Sequence, residues 1–295
     1  MSSSHLLVGA AAPAQIEIKR MTPRDVLEAL AQGLDDFAAM PSHAVFLCVV
    51  YPLIGLFLIA VVSGNALLPL AFPIAAGFAL VGPFVAIGLY ELSRRREAGL
   101  DTTSSHAFDV LHSRSIGAIV ALGILLMLIF LVWVAVADAI YVANFGYNAP
   151  ASVSKFVSDV FTTRAGWNVI VVGTVAGFVF ALVALTISAI SFPLLLDRDV
   201  GAAVAVLTSI RVVLANPVAM AFWGLIVAFL LVAGSLPFFL GLTVVMPVLG
   251  HATWHLYRKA VVSDAMPRAA FQTDERARPQ RYAADFPSSL FPTRR

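Results

Sequence analysis

The chain has 295 residues, of which 60% are hydrophobic and only 12% charged, with a formal net charge of +2 and a mean hydropathy of +0.91. A soluble domain carries about 25% charged residues, so this composition answers to lipid and excludes a water-soluble enzyme or a nucleic-acid-binding protein. The single cysteine, Cys48, rules out an internal disulfide and a cysteine-based metal cluster.

In chain order, residues 1–20 lack the charged start and apolar core of a secretory signal. A flexible N-terminal tail is expected there, with insertion directed by the first span. "MTPRDVLEALAQGLDDFAAMP" follows. Thr22 is a candidate N-cap, Pro23 suits the first helical position, and Asp25 stands three residues after the cap. The spacing of Val26, Leu27, Leu30, Leu34 and Phe37 predicts an amphipathic helix on the membrane surface, opposite Glu28, Gln32, Asp35 and Asp36.

A transmembrane helix needs about 20 apolar residues to cross roughly 30 Å of hydrocarbon. Six stretches qualify: 43–63, 66–91, 117–143, 167–196, 218–235 and 237–258. Short links at 63–69 and 233–237 read as tight helical hairpins. A second surface helix is expected after Asp199, with Val200, Val204, Leu207 and Leu214 on one face. A shorter segment at 104–114 leads into the third span. Positive charge is retained in the cytoplasm, and with both termini inside, 17 of the 19 Lys and Arg fall on that side, leaving Lys155 and Arg164 outside. Residues 263–295, rich in Pro and Arg, are expected to be a disordered cytoplasmic tail. The expected architecture is all-α: a polytopic membrane bundle of six transmembrane helices in three hairpins over residues 21–262, with cytoplasmic amphipathic helices.

A shift of 164 residues lays Pro73, Gly77, Pro83, Arg94 and Arg95 onto Pro237, Gly241, Pro247, Arg258 and Lys259. This points to a parallel internal repeat of surface helix, span, tight turn, kinked span and basic end. The competing reading is that Pro and Gly are simply frequent in membrane helices. Pro73, Pro83, Pro193 and Pro247 are candidate kinks, because each removes a backbone hydrogen bond. Ala75, Ala79, Gly82, Ala86 and the Gly173/Gly177 pair are small enough for close helix approach.

The blocks "AFPIAAGFALVGPFVAIGLYELSRRREAG", "FPLLLDRDV", "LANP" and "PVLGHATWHLYRK", in this order, resemble bacterial integral membrane proteins grouped as domain-of-unknown-function family 2189. The resemblance covers about residues 16–262 and implies a bacterial inner-membrane location. The family has no established activity, and some relatives carry a cytochrome c oxidase label. A catalytic oxidase core needs about a dozen spans and several intramembrane histidines. Six expected spans and the six histidines His5, His43, His106, His112, His251 and His255 do not meet that pattern.

His251 and His255, at i and i+4, share a helix face and are metal ligands by type. Glu91 occupies the repeat position of His255, and His43 opens span one at a similar depth. Against a metal or haem stands a simpler reading, in which His251 hydrogen-bonds across the bundle while Trp254, His255, Tyr257, Arg258 and Lys259 form an interfacial belt. Asp138, near the outer end of span three, is an intramembrane acid and so a functional candidate, unless Tyr141 and Asn144 hold it at the interface. In "LLLDRD", Asp197, Arg198 and Asp199 close a cytoplasmic helix end, with Asp199 a candidate cap and Arg198 able to pair with either acid or a lipid phosphate. No phosphate-binding glycine loop occurs.

No residue is assigned as catalytic, cofactor-binding or metal-binding, and no cofactor is expected. The expected partners are the lipid bilayer and another membrane complex or a second copy. Two functions follow. One is a non-enzymatic accessory or organising protein, linked to a respiratory oxidase by the family label, which requires a packed bundle without a continuous polar cavity. The other is a small-solute transporter or channel, which requires a midplane cavity flanked by Pro83 and Pro247.

Overall fold

The computed structural model describes residues 16–40, 68–71, 73–74, 82–83, 86–147, 150–237 and 239–262. Span one, most of span two before Ile87, the 63–67 part of the first hairpin link, Pro41, His43, Cys48, residues 1–15 of the expected N-terminal tail and residues 263–295 lie outside the described residues, whereas residues 16–20 of that tail are held in place by β1 and its bonds. The elements are β1 (Glu17–Ile18), α1 (Pro23–Ala39), α2 (Ile87–Glu97), a 3-10 segment (Ser104–His112), α3 (Ile116–Phe145), α4 (Val153–Thr162), α5 (Arg164–Ser188), α6 (Ser191–Asp197), α7 (Ala202–Ala215), α8 (Pro217–Ser235), α9 (Leu242–Ala260) and β2 (Val261–Val262), with a single 3-10 turn at Leu68–Leu70.

Among the described residues, three helices are long and apolar enough to cross a membrane: α3, the α5–α6 run and α8. They coincide with the expected spans 117–143, 167–196 and 218–235. The α9 helix is less apolar, because its second half carries His251, His255, Arg258 and Lys259.

Local chemistry sets the ends of these elements. Thr22 and Asp25 form the expected capping box at α1, with Pro23 in the first turn. The Thr22 amide and hydroxyl both bond the Asp25 carboxylate, and these bonds outweigh slight burial and hold its pKa below the usual range. Arg94, Arg95 and Arg96 close α2, where positive charge complements the exposed carbonyls of a helix C-terminus. The α5–α6 run breaks at Ala189 and Ile190, and Pro193, in the first turn of α6, lacks the N–H that would bond the Ala189 carbonyl four residues back. Asp199 does not cap α7; Gly201, with a φ of 77°, takes that position without a side-chain hydrogen bond. The 144–166 link contains α4, capped by Ser152, which spanwise hydropathy does not reveal.

The first and last described elements meet at one end of the bundle. β1 pairs antiparallel with β2, and the Lys19 amide donates to the Ala260 carbonyl at 2.9 Å. Asn216, between α7 and α8, accepts from the Met21 amide at 2.7 Å and donates to the Lys19 carbonyl at 3.1 Å. Arg20 donates to the Ala215 carbonyl. "LANP" is therefore a socket for the segment preceding α1.

The α1 helix packs mainly along α9. It buries Val26, Ala29, Gly33 and Asp36, and leaves Leu27 and Leu34 about half exposed. This differs from the expected face of large apolar residues. The reason is proximity: a Cβ on Gly33 would lie 2.5 Å from the Ala252 backbone nitrogen, so only the small-residue stripe fits against α9. The 3-10 segment approaches α2 similarly, with a Cβ on Gly88 falling 3.2 Å from Ala107. The α7 helix docks where α5 gives way to α6, its Ser209 hydroxyl donating to the Thr186 carbonyl at 2.7 Å. In the Gly173/Gly177 pair, only Gly177 makes a close approach. It faces the Trp133 ring of α3, whereas Gly173 has open space around it. The Trp133 indole also donates to the Pro73 carbonyl at 3.0 Å.

Alanine stabilises an exposed helix by about 1 kcal/mol relative to glycine, so Gly173→Ala is expected to be neutral or stabilising. Gly33→Ala, despite the same propensity gain, is expected to destabilise by about 1–3 kcal/mol through overpacking. Thermal unfolding of the two variants in detergent checks this opposite sign. Equal effects would contradict the α1–α9 contact.

Candidate functional site

Most of the buried polar residues gather at the end where β1 meets β2. Asp36, on the last turn of α1, is 3% exposed. One oxygen of its carboxylate accepts from Ser93 of α2 at 2.5 Å and from His255 Nε2 of α9 at 2.9 Å, and the other accepts from Arg96. Burial alone pushes the Asp36 pKa up, but the bonds from His255, Ser93 and Arg96 outweigh it and leave the group below its ordinary value. Ionised Asp36 only accepts, so the Ser93 hydroxyl donates to it, and the 2.7 Å contact between Ser93 Oγ and His251 Nδ1 assigns the Nδ1 proton to His251, as donor to Ser93. His251 is fully buried, and its Nε2 makes no hydrogen bond of normal geometry.

Neighbouring ties join other elements. Glu91, fully buried, receives both Arg94 nitrogens, Nε at 2.7 Å and Nη2 at 2.8 Å, in a fork of the kind that combines charge with fixed geometry. Arg95 donates to the Asp101 carbonyl at 2.6 Å and to Asp109 of the 3-10 segment at 3.3 Å. Lys259 of α9 reaches Glu28 of α1 at 2.9 Å. Asp197 accepts from Tyr257 at 2.7 Å and from Arg198 at 2.9 Å. Glu97 accepts from the Trp254 indole at 2.8 Å and from Arg258 Nε at 3.0 Å, and Arg258 Nη1 lies 3.8 Å from Asp197. One guanidinium on α9 thus lies between carboxylates of α2 and α6.

Of the residues singled out in sequence, His251 and His255 join one network and Asp197 and Arg198 another. Glu91 is not brought to His255: it binds Arg94 with Arg95 nearby, while His255 binds Asp36. Among the described residues, no three His, Cys, Asp or Glu side chains are arranged to hold a metal ion. Asp138 stands exposed on α3, away from these networks. Its neighbours are engaged elsewhere, Tyr141 stacking on Phe145 and Asn144 bonding the Ile140 carbonyl and Asn168.

Sequence reasoning missed Asp36 and Ser93. Asp36 was assigned to the polar face of α1, but it continues the stripe Val26, Ala29, Gly33 at helical spacing, and a carboxylate ending a small-residue stripe is the signal that was present. Ser93 offers no such signal, because a serine near a helix end is ordinary.

A cavity of about 90 Å³ lies where α2, the end of α5, α8 and α9 meet. Pro83 lines it from one side, and Met246 and Leu249, flanking Pro247, from the other. Among the described residues, no charged side chain lines it.

Residues 71–197, from the segment before α2 to the end of α6, match a family model described as "Predicted integral membrane protein (DUF2189)". Over this stretch the chain is similar to that family. The match takes in Ser93, Glu97 and Asp197, whereas their partners Asp36 on α1 and His251, Trp254, Tyr257 and Arg258 on α9 lie outside it. The chain matches no curated protein and no solved structure.

The folded pKa of Asp36 lies below the ordinary 3.8. Its stabilisation is therefore complete above that value and is lost as pH falls through the lower folded pKa. Asp36→Ala is expected to cost about 3 kcal/mol near neutral pH by leaving buried partners unpaired. Asp36→Asn is expected to give a shallower loss of melting temperature below about pH 4 than the unsubstituted protein. Superimposable acid limbs would contradict the assignment.

Proposed function

We propose that this chain is a non-enzymatic integral protein of the bacterial inner membrane that organises or assists another membrane complex, with a respiratory oxidase the partner suggested by the family label. One observation carries the reading: the ionisable side chains at the polar end are engaged with one another across elements. Asp36, Glu97 and Asp197 each bind partners on other helices. A catalytic or ion-coupled site instead aims such groups into a cavity where substrate arrives. Here the cavity is apolar. The α5 helix offers a surface for a partner, since only 6% of its most apolar window is buried, with Val171, Val175 and Phe178 more than half exposed.

We also propose that the membrane domain spans residues 21–262 and is built from three parallel units, each a surface segment followed by two spans, with both termini cytoplasmic. The 164-residue register supports this reading in two places. It equates Gly88 with Ala252, the positions at which the 3-10 segment and α1 make their close approaches. It also equates Arg95 with Lys259, which bind the acids Asp109 and Glu28 on those same segments. Each surface segment then docks on the second span of the preceding unit, and the β1–β2 pair closes the ring.

The alternative, a small-solute transporter or channel, gains the cavity beside Pro83 and Pro247. Its size argues against conduction of anything larger than a few atoms, since ligand pockets occupy roughly 300–1,000 Å³.

Purification of the tagged full-length chain in mild detergent is expected to recover stoichiometric membrane partners, scored by haem absorbance, metal content and mass spectrometry. A monodisperse protein with no partner would overturn the organising role. Reporter fusions are expected to place residues 144–166 outside and the C-terminus inside. The opposite pattern would overturn the topology.

A further inference from the structure

We infer that the cavity between α2, α5, α8 and α9 is a binding site for one acyl chain of a membrane phospholipid. The inference stands apart from the organising role: it concerns what fills the bundle rather than what the bundle meets.

Three observations select hydrocarbon as the occupant. The wall is made mainly of Pro83, Leu185, Trp223, Val227, Met246 and Leu249. Its hydroxyls are already engaged: Ser188 donates to the Ala184 carbonyl at 2.7 Å, Thr253 to the Leu249 carbonyl at 2.6 Å, and Tyr90 is bonded to Thr253. Apolar cavities of this kind stay dry and admit apolar guests. A charged or strongly polar ligand would lose its hydration without recompense.

The second observation is position. The α8 helix starts at Pro217, beside the Asn216 socket. At 1.5 Å per residue, Trp223 and Leu231 stand roughly 9 and 21 Å along it. The cavity therefore lies at hydrocarbon depth, within a helix long and apolar enough to span. Among the described residues, the half-buried Leu185, Val227 and Leu231 leave its edge open, and the outer face of α8 exposes Leu225, Phe229 and Val232. An apolar helix face exposed at that depth meets acyl chains in a bilayer.

Size is the third. A volume of about 90 Å³ lies well below the roughly 300 Å³ at which pockets for whole drug-sized ligands begin. It suits a length of slender chain whose remainder stays in the bilayer. In the 164-residue register Gly82 and Ala86 fall on Met246 and Gly250, and all four line the cavity, so related helices present the same face to the guest.

The test uses the full-length protein from cells whose phospholipids carry a diazirine within the acyl chain. After illumination, adducts are mapped by mass spectrometry. Phe178 and Phe229, at 67% and 68% exposure, report ordinary lipid contact. Adducts on Trp223, Met246 or Leu249 above that reference are expected, and Ala86→Leu, which fills the cavity, should abolish them while leaving Phe178 and Phe229 labelled. If Ala86→Leu fails to fold, Val227→Phe at the open edge should give the same loss. Cavity adducts no stronger than the reference, or unchanged by both substitutions, would overturn the site. So would saturation of the cavity by benzene or xenon in the purified protein with no acyl-chain adduct there, which would mark a small-solute site.

Discussion

The arrangement of the polar end depends on one guanidinium. Arg258 extends from α9 with Nε on Glu97 of α2 and Nη1 toward Asp197 of α6. Those helices come from distant parts of the sequence and have no backbone bonds in common, so their relative placement rests on packing, on this shared cation and on the Ser93–His251, Trp254–Glu97 and Tyr257–Asp197 hydrogen bonds. A charge near hydrocarbon is costly unless it is paired. The pairing is supplied twice over, since Trp254 also donates to Glu97 and Tyr257 to Asp197. Both aromatic residues lie within the helical turn before Arg258 on α9 and are almost fully buried, so one short stretch of helix carries the bridge and the groups that orient its acceptors.

From that bridge the other features follow. With the ends of α2, α6 and α9 held together, α1 can lie against α9 and reach α2 through Asp36, while Arg95 holds the 3-10 segment. The same convergence leaves a gap higher up, where Gly82, Ala86 and Gly250 are too small to fill the space between helices. A rigid polar base beneath a small apolar gap fits a protein that binds lipid and presents helices to a partner. It fits less well a pump, which must loosen its contacts to alternate access.

Much of this was legible in the sequence. Run length and hydropathy marked α3, the α5–α6 run and α8, because crossing a bilayer imposes a long continuous apolar pattern. The capping box at Thr22 was legible because its signal is local. Failures came where tertiary contact decides. Leu27 and Leu34 were counted into the buried face of α1, yet the close approach of Ala252 admits only Gly33 and Ala29 there. Asp199 was read as a cap, but Gly201 takes that place. The networks of Asp36, Ser93, His251 and His255, and of Glu97, Asp197 and Arg258, join residues separated by up to 219 positions, and no spacing rule within one chain segment could pair them. That Arg95 and Lys259 each hold the acid of a different surface segment, Asp109 and Glu28, needed coordinates.

The central claim is that Arg258 couples α9 to α2 and α6. A double-mutant cycle tests it, with Arg258→Met combined in turn with Glu97→Gln and with Asp197→Asn, and stability measured by unfolding in detergent micelles. A coupling of about 1 kcal/mol is predicted for the Glu97 pair, which is partly exposed, together with a separate non-zero coupling for the Asp197 pair. Strict additivity in both cycles would contradict the account.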